Sequence, residues 1–184
     1  MMKIKSVFVL ICCLTMGVQT YVAAEKSVAP VKQEKKKTGT SGKLKLGDPS
    51  PEFRAIDVNG KPLSLKSLKG KYVYIDLWAT WCGPCLGEVP HLQALEKKMH
   101  GKKIVFVSIS TDTNYKLWKE FVEKNGMTGI QLSFDGNKRF QELYGVTSIP
   151  RFILLDKKGH IINMNMTRPS DPETEKVLEK LKGI

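Results

Sequence analysis

Two rhythms of apolar residues alternate between residues 51 and 181, one of strands and one of helices. Tyr72-Val73-Tyr74-Ile75-Asp76-Leu77-Trp78 is almost continuously apolar and rich in β-branched and aromatic residues. It reads as a buried strand, and Lys103 to Ser110 reads as a second. Between them, Val89, Leu92 and Leu95 recur at helical spacing, predicting a helix from Cys82 to about Met99. Pro90 falls inside that helix and should kink it. Pro51 to Ile56 and Leu63 to Leu65, joined through Asn59-Gly60, predict a short hairpin with a type I′ turn. Further on, a helix is expected over Tyr115 to Lys124, closed by Asn125-Gly126. A short strand over Gln131 to Phe134 and a helix over Asn137 to Tyr144 follow. Arg151 to Leu155 and His160 to Met164 pair around Asp156-Lys157-Lys158-Gly159, and Glu173 to Leu181 closes the chain as a helix. Strands alternating with helices predict an α/β layered sheet.

The first residues belong to another layer of information. Lys3 and Lys5 precede an apolar stretch from Val7 to Val18, and Val22-Ala23-Ala24 offers a small-residue cleavage site. The stretch is shorter than the ~20 residues of an ordinary membrane span. Residues 1–24 are therefore read as a signal peptide for export to the periplasm, with an uncleaved membrane anchor as the alternative. Lipidation at Cys12 or Cys13 fits less well, because bulky Ile11 precedes Cys12 and the apolar run continues past both.

Cleavage after Ala24 leaves Cys82 and Cys85 as the remaining cysteines of the four. A disulfide closing so short a loop adds little stability through chain entropy. Exported proteins usually use cysteines as staples, so a lone close pair points to exchange chemistry. At a helix N-terminus the first thiolate lies in the positive end of the helix dipole, which favours the anion and makes Cys82 a nucleophile. A structural zinc site is disfavoured because no second cysteine pair exists, and His91, His100 and His160 are scattered. No metal and no cofactor are expected.

The net charge of +12 includes two leader lysines and falls to +10 on cleavage. Much of it lies in Lys32-Gln33-Glu34-Lys35-Lys36-Lys37 and continues through Lys43 and Lys45, around Thr38-Gly39-Thr40-Ser41-Gly42. Without aromatic residues to stack bases, this tract reads as a basic disordered linker over 25–43 rather than a nucleic-acid site. The folded domain is expected over 44–184.

Trp78-Ala79-Thr80-Trp81-Cys82-Gly83-Pro84-Cys85, after a strand and opening a helix, closely resembles the signature of the thioredoxin superfamily. The N-terminal hairpin and the segment from about Tyr115 to Phe134 look like additions of its TlpA and ResA branch, and the resemblance spans Leu46 to Leu181. It implies a thioredoxin-like fold: a central mixed β-sheet flanked by helices, with an N-terminal β-hairpin and an inserted helix–strand segment. It implies an exported thiol-disulfide oxidoreductase, with Cys82 as exposed attacking thiolate and Cys85 as buried resolving thiol. It also implies that Pro150 is cis, facing the disulfide, with Ile149 presenting backbone to substrate beside Trp81, Gly83 and Pro84. Asp76 occupies the place of a buried acid common in the superfamily, and burial would raise its pKa. Glu88 matches an acid of the TlpA and ResA branch, whose members often lack the first one, so both become candidates for moving the Cys85 proton. For Glu88 the plainer reading is a first-turn acid complementing the helix dipole. Trp78 and Trp118 are read as packing.

Protein disulfides are the implied substrates, and the Gly83-Pro84 dipeptide is that of reducing thioredoxins. Apocytochrome thiols, as in cytochrome c maturation, isomerase enzymes and damaged envelope proteins all fit. A reductant outside the cytoplasm needs a membrane electron donor, of the DsbD or CcdA type by resemblance, and the protein is expected to act as a monomer. Two other readings compete. A thiol peroxidase on this fold needs a Thr or Ser three residues before its cysteine, where Ala79 precedes Cys82 and Cys82 precedes Cys85. A copper or haem-pathway chaperone would draw on Met164-Asn165-Met166 and His160.

Overall fold

The computed structural model describes Lys43–Ile184. The leader and most of the basic linker predicted from the sequence lie outside the described residues. Seven strands form one sheet in the order β2-β1-β5-β4-β3-β6-β7. In chain order they are β1 (Arg54–Ile56), β2 (Pro62–Ser64), β3 (Tyr72–Trp78), β4 (Ile104–Ser110), β5 (Ile130–Ser133), β6 (Arg151–Leu155) and β7 (Ile161–Met166). The helices are α1 (Gly83–Lys98), α2 (Tyr115–Lys124), α3 (Arg139–Leu143) and α4 (Pro172–Glu179), with a 3₁₀ turn at Leu65–Leu68.

β3, β4 and β5 run parallel, while β6 pairs antiparallel with β3, so the sheet is mixed as expected. Two crossovers, β3-α1-β4 and β4-α2-β5, step the same way along the sheet. Crossovers share one hand, so both helices land on one face. That face carries Tyr74 and Trp78: Tyr74 packs with Leu92 and Leu95 of α1, Met99 just past its end and Leu178 of α4, and Trp78 with Trp118 and Val122 of α2. The other face carries Val73, Ile75 and Leu77 against Phe53, Phe140 and Tyr144. Every residue of β3 is buried, which explains why its sequence reads as a run rather than an alternation.

The elements predicted from periodicity are present with shifted ends. Cys82 is the cap of α1 rather than its first residue, α3 is shorter than predicted, and β7 continues to Met166. Met166 is buried in the core under α1, and Met164 packs on the opposite core. α4 begins at Pro172, with the Asp171 side chain capping Glu173 N. Pro90 lies within α1, which runs on through it.

The first hairpin corrects the expected turn. A type I′ turn needs positive φ at both central residues, and here Gly60 has φ +75° while Asn59 does not share it. Gly60 N–H donates to Asp57 O at 2.9 Å and Asp57 N–H to Lys61 O at 3.0 Å. This is a three-residue loop ending in a left-handed glycine. The Asp57 carboxylate drives it, accepting from Asn59 N and Lys61 N.

Among the described residues no helix is long and apolar enough to cross a membrane.

Candidate active site

At the end of β3 the chain leaves the sheet through buried Ala79, and Cys82 N–H donates back to Ala79 O at 3.0 Å. α1 then starts, with Pro84 in its first turn, where a missing N–H costs nothing. Cys82 caps the helix with its sulfur: the Cys85 N–H donates to Cys82 Sγ at 3.2 Å. The same donor and the helix N-terminus would stabilise a Cys82 thiolate. Cys82 and Cys85 are joined in a disulfide with their Cα atoms 5.2 Å apart.

The expectation of an exposed Cys82 needs correction. Cys82 is 5% exposed and Cys85 3%, because Trp78, Ala79, Trp118 and Val122 pack around the pair. What separates the two is access. Cys82 lines a cavity of about 590 Å³ together with Trp81, Gly83, Pro84, Thr111 and Ile149, and Cys85 does not. Lys138, Gln141 and Glu142 supply polar groups to the same cavity from the start of α3 and the turn before it. Trp81 is 71% exposed at this site. The Ile149-Pro150 peptide bond is cis, as the resemblance implied. Of the residues singled out for substrate contact, Trp81, Gly83, Pro84 and Ile149 thus come together at Cys82, with Pro150 next in the chain.

The two acids lie elsewhere. Asp76 is on the α1-covered face of β3, two residues inward from Trp78, whose indole packs in one cluster with Cys85. It is 7% exposed, and its carboxyl is pushed up to about 7. Burial is the main cause; a 3.4 Å hydrogen bond from Ser108 Oγ opposes it, and the Glu88 charge adds to it. Glu88 is also buried, but in the second turn of α1, so the reading as a first-turn acid is wrong. Its carboxylate accepts from Ser170 N at 3.0 Å and from Ser170 Oγ at 2.9 Å, with Arg168 Nη1 at 3.7 Å. Glu88 ties α1 to the loop before α4, while Asp76 keeps most of its acceptor capacity free. Tyr74, whose hydroxyl donates to Thr167 O at 3.1 Å, is driven far up by burial and stays a neutral phenol.

The chain matches the family model described as Redoxin over residues 45–181. A thiol-disulfide oxidoreductase ResA from Bacillus anthracis is 30% identical over 139 residues, covering 76% of this chain and 80% of the relative. Among solved structures, a candidate thiol-disulfide oxidoreductase from Bacteroides vulgatus is 54% identical. It covers 73% of this chain and 90% of its own, with a TM-score of 0.68. A thiol:disulfide interchange protein from Bacteroides sp. is 28% identical with a TM-score of 0.68, covering 76% and 91%. The chain belongs to the Redoxin family, within the thioredoxin superfamily. It is a thiol-disulfide oxidoreductase.

One residue of this Redoxin domain that the sequence reading missed holds the redox loop in place. Asp112, buried after β4, accepts from Thr80 N at 3.0 Å, Thr80 Oγ1 at 2.9 Å and Ser110 Oγ at 2.6 Å. Beside it, Thr111 N–H donates to Trp78 O at 2.8 Å. These bonds fix the residues just before Cys82 from the neighbouring strand. Asp112→Ala should strand three donors, the buried Ser110 hydroxyl and two part-buried groups of Thr80, and destabilise the oxidised protein by roughly 2 kcal/mol in urea unfolding. Asp112→Asn, which keeps one acceptor oxygen, should lose less. Equal losses would remove Asp112 from this role.

Proposed function

We propose that the protein acts outside the cytoplasm as a reductant of protein disulfides. The observation that carries this reading is the asymmetry of the cysteine pair, Cys82 at the cavity wall and Cys85 behind it. The Cys82 thiolate attacks one sulfur of a substrate disulfide, breaks that S–S bond and releases the other sulfur as a thiolate, which takes up a proton. Cys85 then gives its proton to Asp76 and attacks Cys82 Sγ, freeing the second substrate thiol. Two electrons leave the dithiol and the Cys82–Cys85 disulfide forms. An incoming dithiol donor at the membrane, of the DsbD or CcdA type, restores the reduced pair.

Export rests on the leader over residues 1–24. Trp81, Gly83, Pro84 and Ile149 would receive the chain on either side of the substrate cysteine, with Pro150 behind Ile149. Substrates include apocytochromes awaiting haem attachment, which ties the protein to cytochrome c maturation. Relatives named ResA support that choice.

Direction of flow is tested by equilibrating the Cys82–Cys85 couple against glutathione or dithiothreitol and trapping the thiols. A potential near the thioredoxin value of ~−270 mV is expected, and one near the DsbA value of ~−120 mV would make the protein an oxidant instead. Covalent capture with Cys85→Ala, which stalls at the mixed disulfide, names the substrate.

A further inference from the structure

Three polar side chains form a row across three adjacent strands on the face under α1. Asp76 on β3 is paired in register with Ser108 on β4, and Ser108 with Gln131 on β5. All three are buried. Ser108 Oγ donates toward Asp76 Oδ2, and Gln131 Nε2 donates to Thr128 O at 2.7 Å. Gln131 Oε1 is left with no partner although it is inaccessible and its residue is only 9% exposed. Stranding a buried carbonyl oxygen costs free energy comparable to a lost hydrogen bond.

Ser108 and Gln131 also line a second cavity, of about 10 Å³, roofed by Val89 and Leu92 of α1. Its volume admits one water molecule, and a water there has polar groups to bind. The cavity is also lined by Gln93, Glu96, and exposed Thr128 and Gly129, so its outer end reaches the surface. Glu96 stands over that end, accepting from Thr128 Oγ1 at 3.0 Å. Gly129, at φ +73°, lets the backbone pass beneath, since a Cβ there would meet Glu96 Oε1 at 2.8 Å. None of these residues lines the cavity at Cys82.

We propose that a single water seated between Ser108 Oγ and Gln131 Oε1 connects Asp76 to solvent, so that the proton taken from Cys85 leaves by a route separate from the substrate cavity. This rests on the reading of Asp76 as the acceptor of the Cys85 proton. The balance is one proton in and one out. Asp76 passes its proton to the Ser108 oxygen, the Ser108 hydroxyl proton moves to the water, and the water releases one at the outer end beside Glu96. A separate exit is needed because a bound substrate covers Cys82 at the moment Cys85 must ionise. The titratable groups facing Asp76 are Tyr74 on its own strand and Glu88 on α1; β4 and β6 present Ser108 and Phe152. Tyr74 is a neutral phenol and Glu88 is held by Ser170, so neither offers a competing exit.

Two measurements test it. A crystal structure of the oxidised protein at a resolution that shows waters should place one within hydrogen-bond distance of both Ser108 Oγ and Gln131 Oε1. A dry cavity there overturns the proposal. In rapid mixing, Gln131→Leu removes the acceptor, and Val89→Leu fills the space without touching a polar group. Each should slow resolution of the mixed disulfide roughly tenfold, the scale of one lost hydrogen bond to a buried partner, and raise its deuterium solvent isotope effect. Alkylation of Cys82 should be unchanged in both. If Asp76→Asn slows resolution and neither variant does, the water route is wrong while the acceptor stands. If Asp76→Asn itself has no effect, the acceptor reading fails and the route with it, whatever the water.

Discussion

Cys82→Ser should reduce dithiothreitol-driven reduction of insulin disulfides to the rate of dithiothreitol alone, while Cys85→Ser should leave a protein that attacks once and stalls. The asymmetry follows from position. Cys82 caps α1 and opens into the substrate cavity, with the Cys85 N–H on its sulfur. Cys85 lies within the cluster formed by Trp78, Ala79, Trp118 and Val122 and has no share in the cavity wall. In the reduced protein, iodoacetamide should therefore modify Cys82 well before Cys85, because reactivity follows thiolate character and access. Mass spectrometry of the singly alkylated species reads this directly. Primary labelling at Cys85, or a strong insulin rate from Cys82→Ser, would reverse the two assignments.

The residues legible from sequence are those whose role is written locally. Cys82 and Cys85 announce themselves by spacing and by the strand-to-helix junction, and Asp76 by being the one charged residue of an apolar strand. The row Asp76–Ser108–Gln131 and the Asp112 clamp are written across strands instead. Thr80 and Asp112 are 32 residues apart in the chain and meet because β3 and β4 pair in parallel register. The signal was present in part: Ser108 and Ser110 alternate with Val107 and Ile109 inside a strand read simply as buried. Period-two polarity facing a helix is costly unless each group is satisfied, and that cost marks the face where polar chemistry is kept. Glu88 shows the reverse limit. Its spacing from Cys85 is family-like, yet its partners, Ser170 and Arg168, come from a loop more than 75 residues away, which no local pattern announces.

Asp76→Asn should separate stability from catalysis. In the folded protein burial holds the carboxyl protonated up to about pH 7, against an ordinary value of 3.8 in the unfolded chain. Between those two values the folded state binds more protons than the unfolded state, so stability falls as pH rises from about 4 to 7 and levels off above. Three pKa units correspond to roughly 4 kcal/mol as an upper bound. Asparagine has no charge to bury, so the variant should match wild type near pH 4 and exceed it by a few kcal/mol at pH 8 in urea unfolding of the oxidised form. The same substitution should slow the resolving step by about 10² or more, the range of a lost general base, and abolish an inflection near pH 7 in its rate. Cys82 alkylation should stay near wild type, because that step does not involve the Cys85 proton. A stability difference independent of pH would mean that Asp76 is ionised in both states. Its folded pKa would then match the unfolded value, which leaves the carboxylate too weak a base to draw the Cys85 proton efficiently near neutral pH.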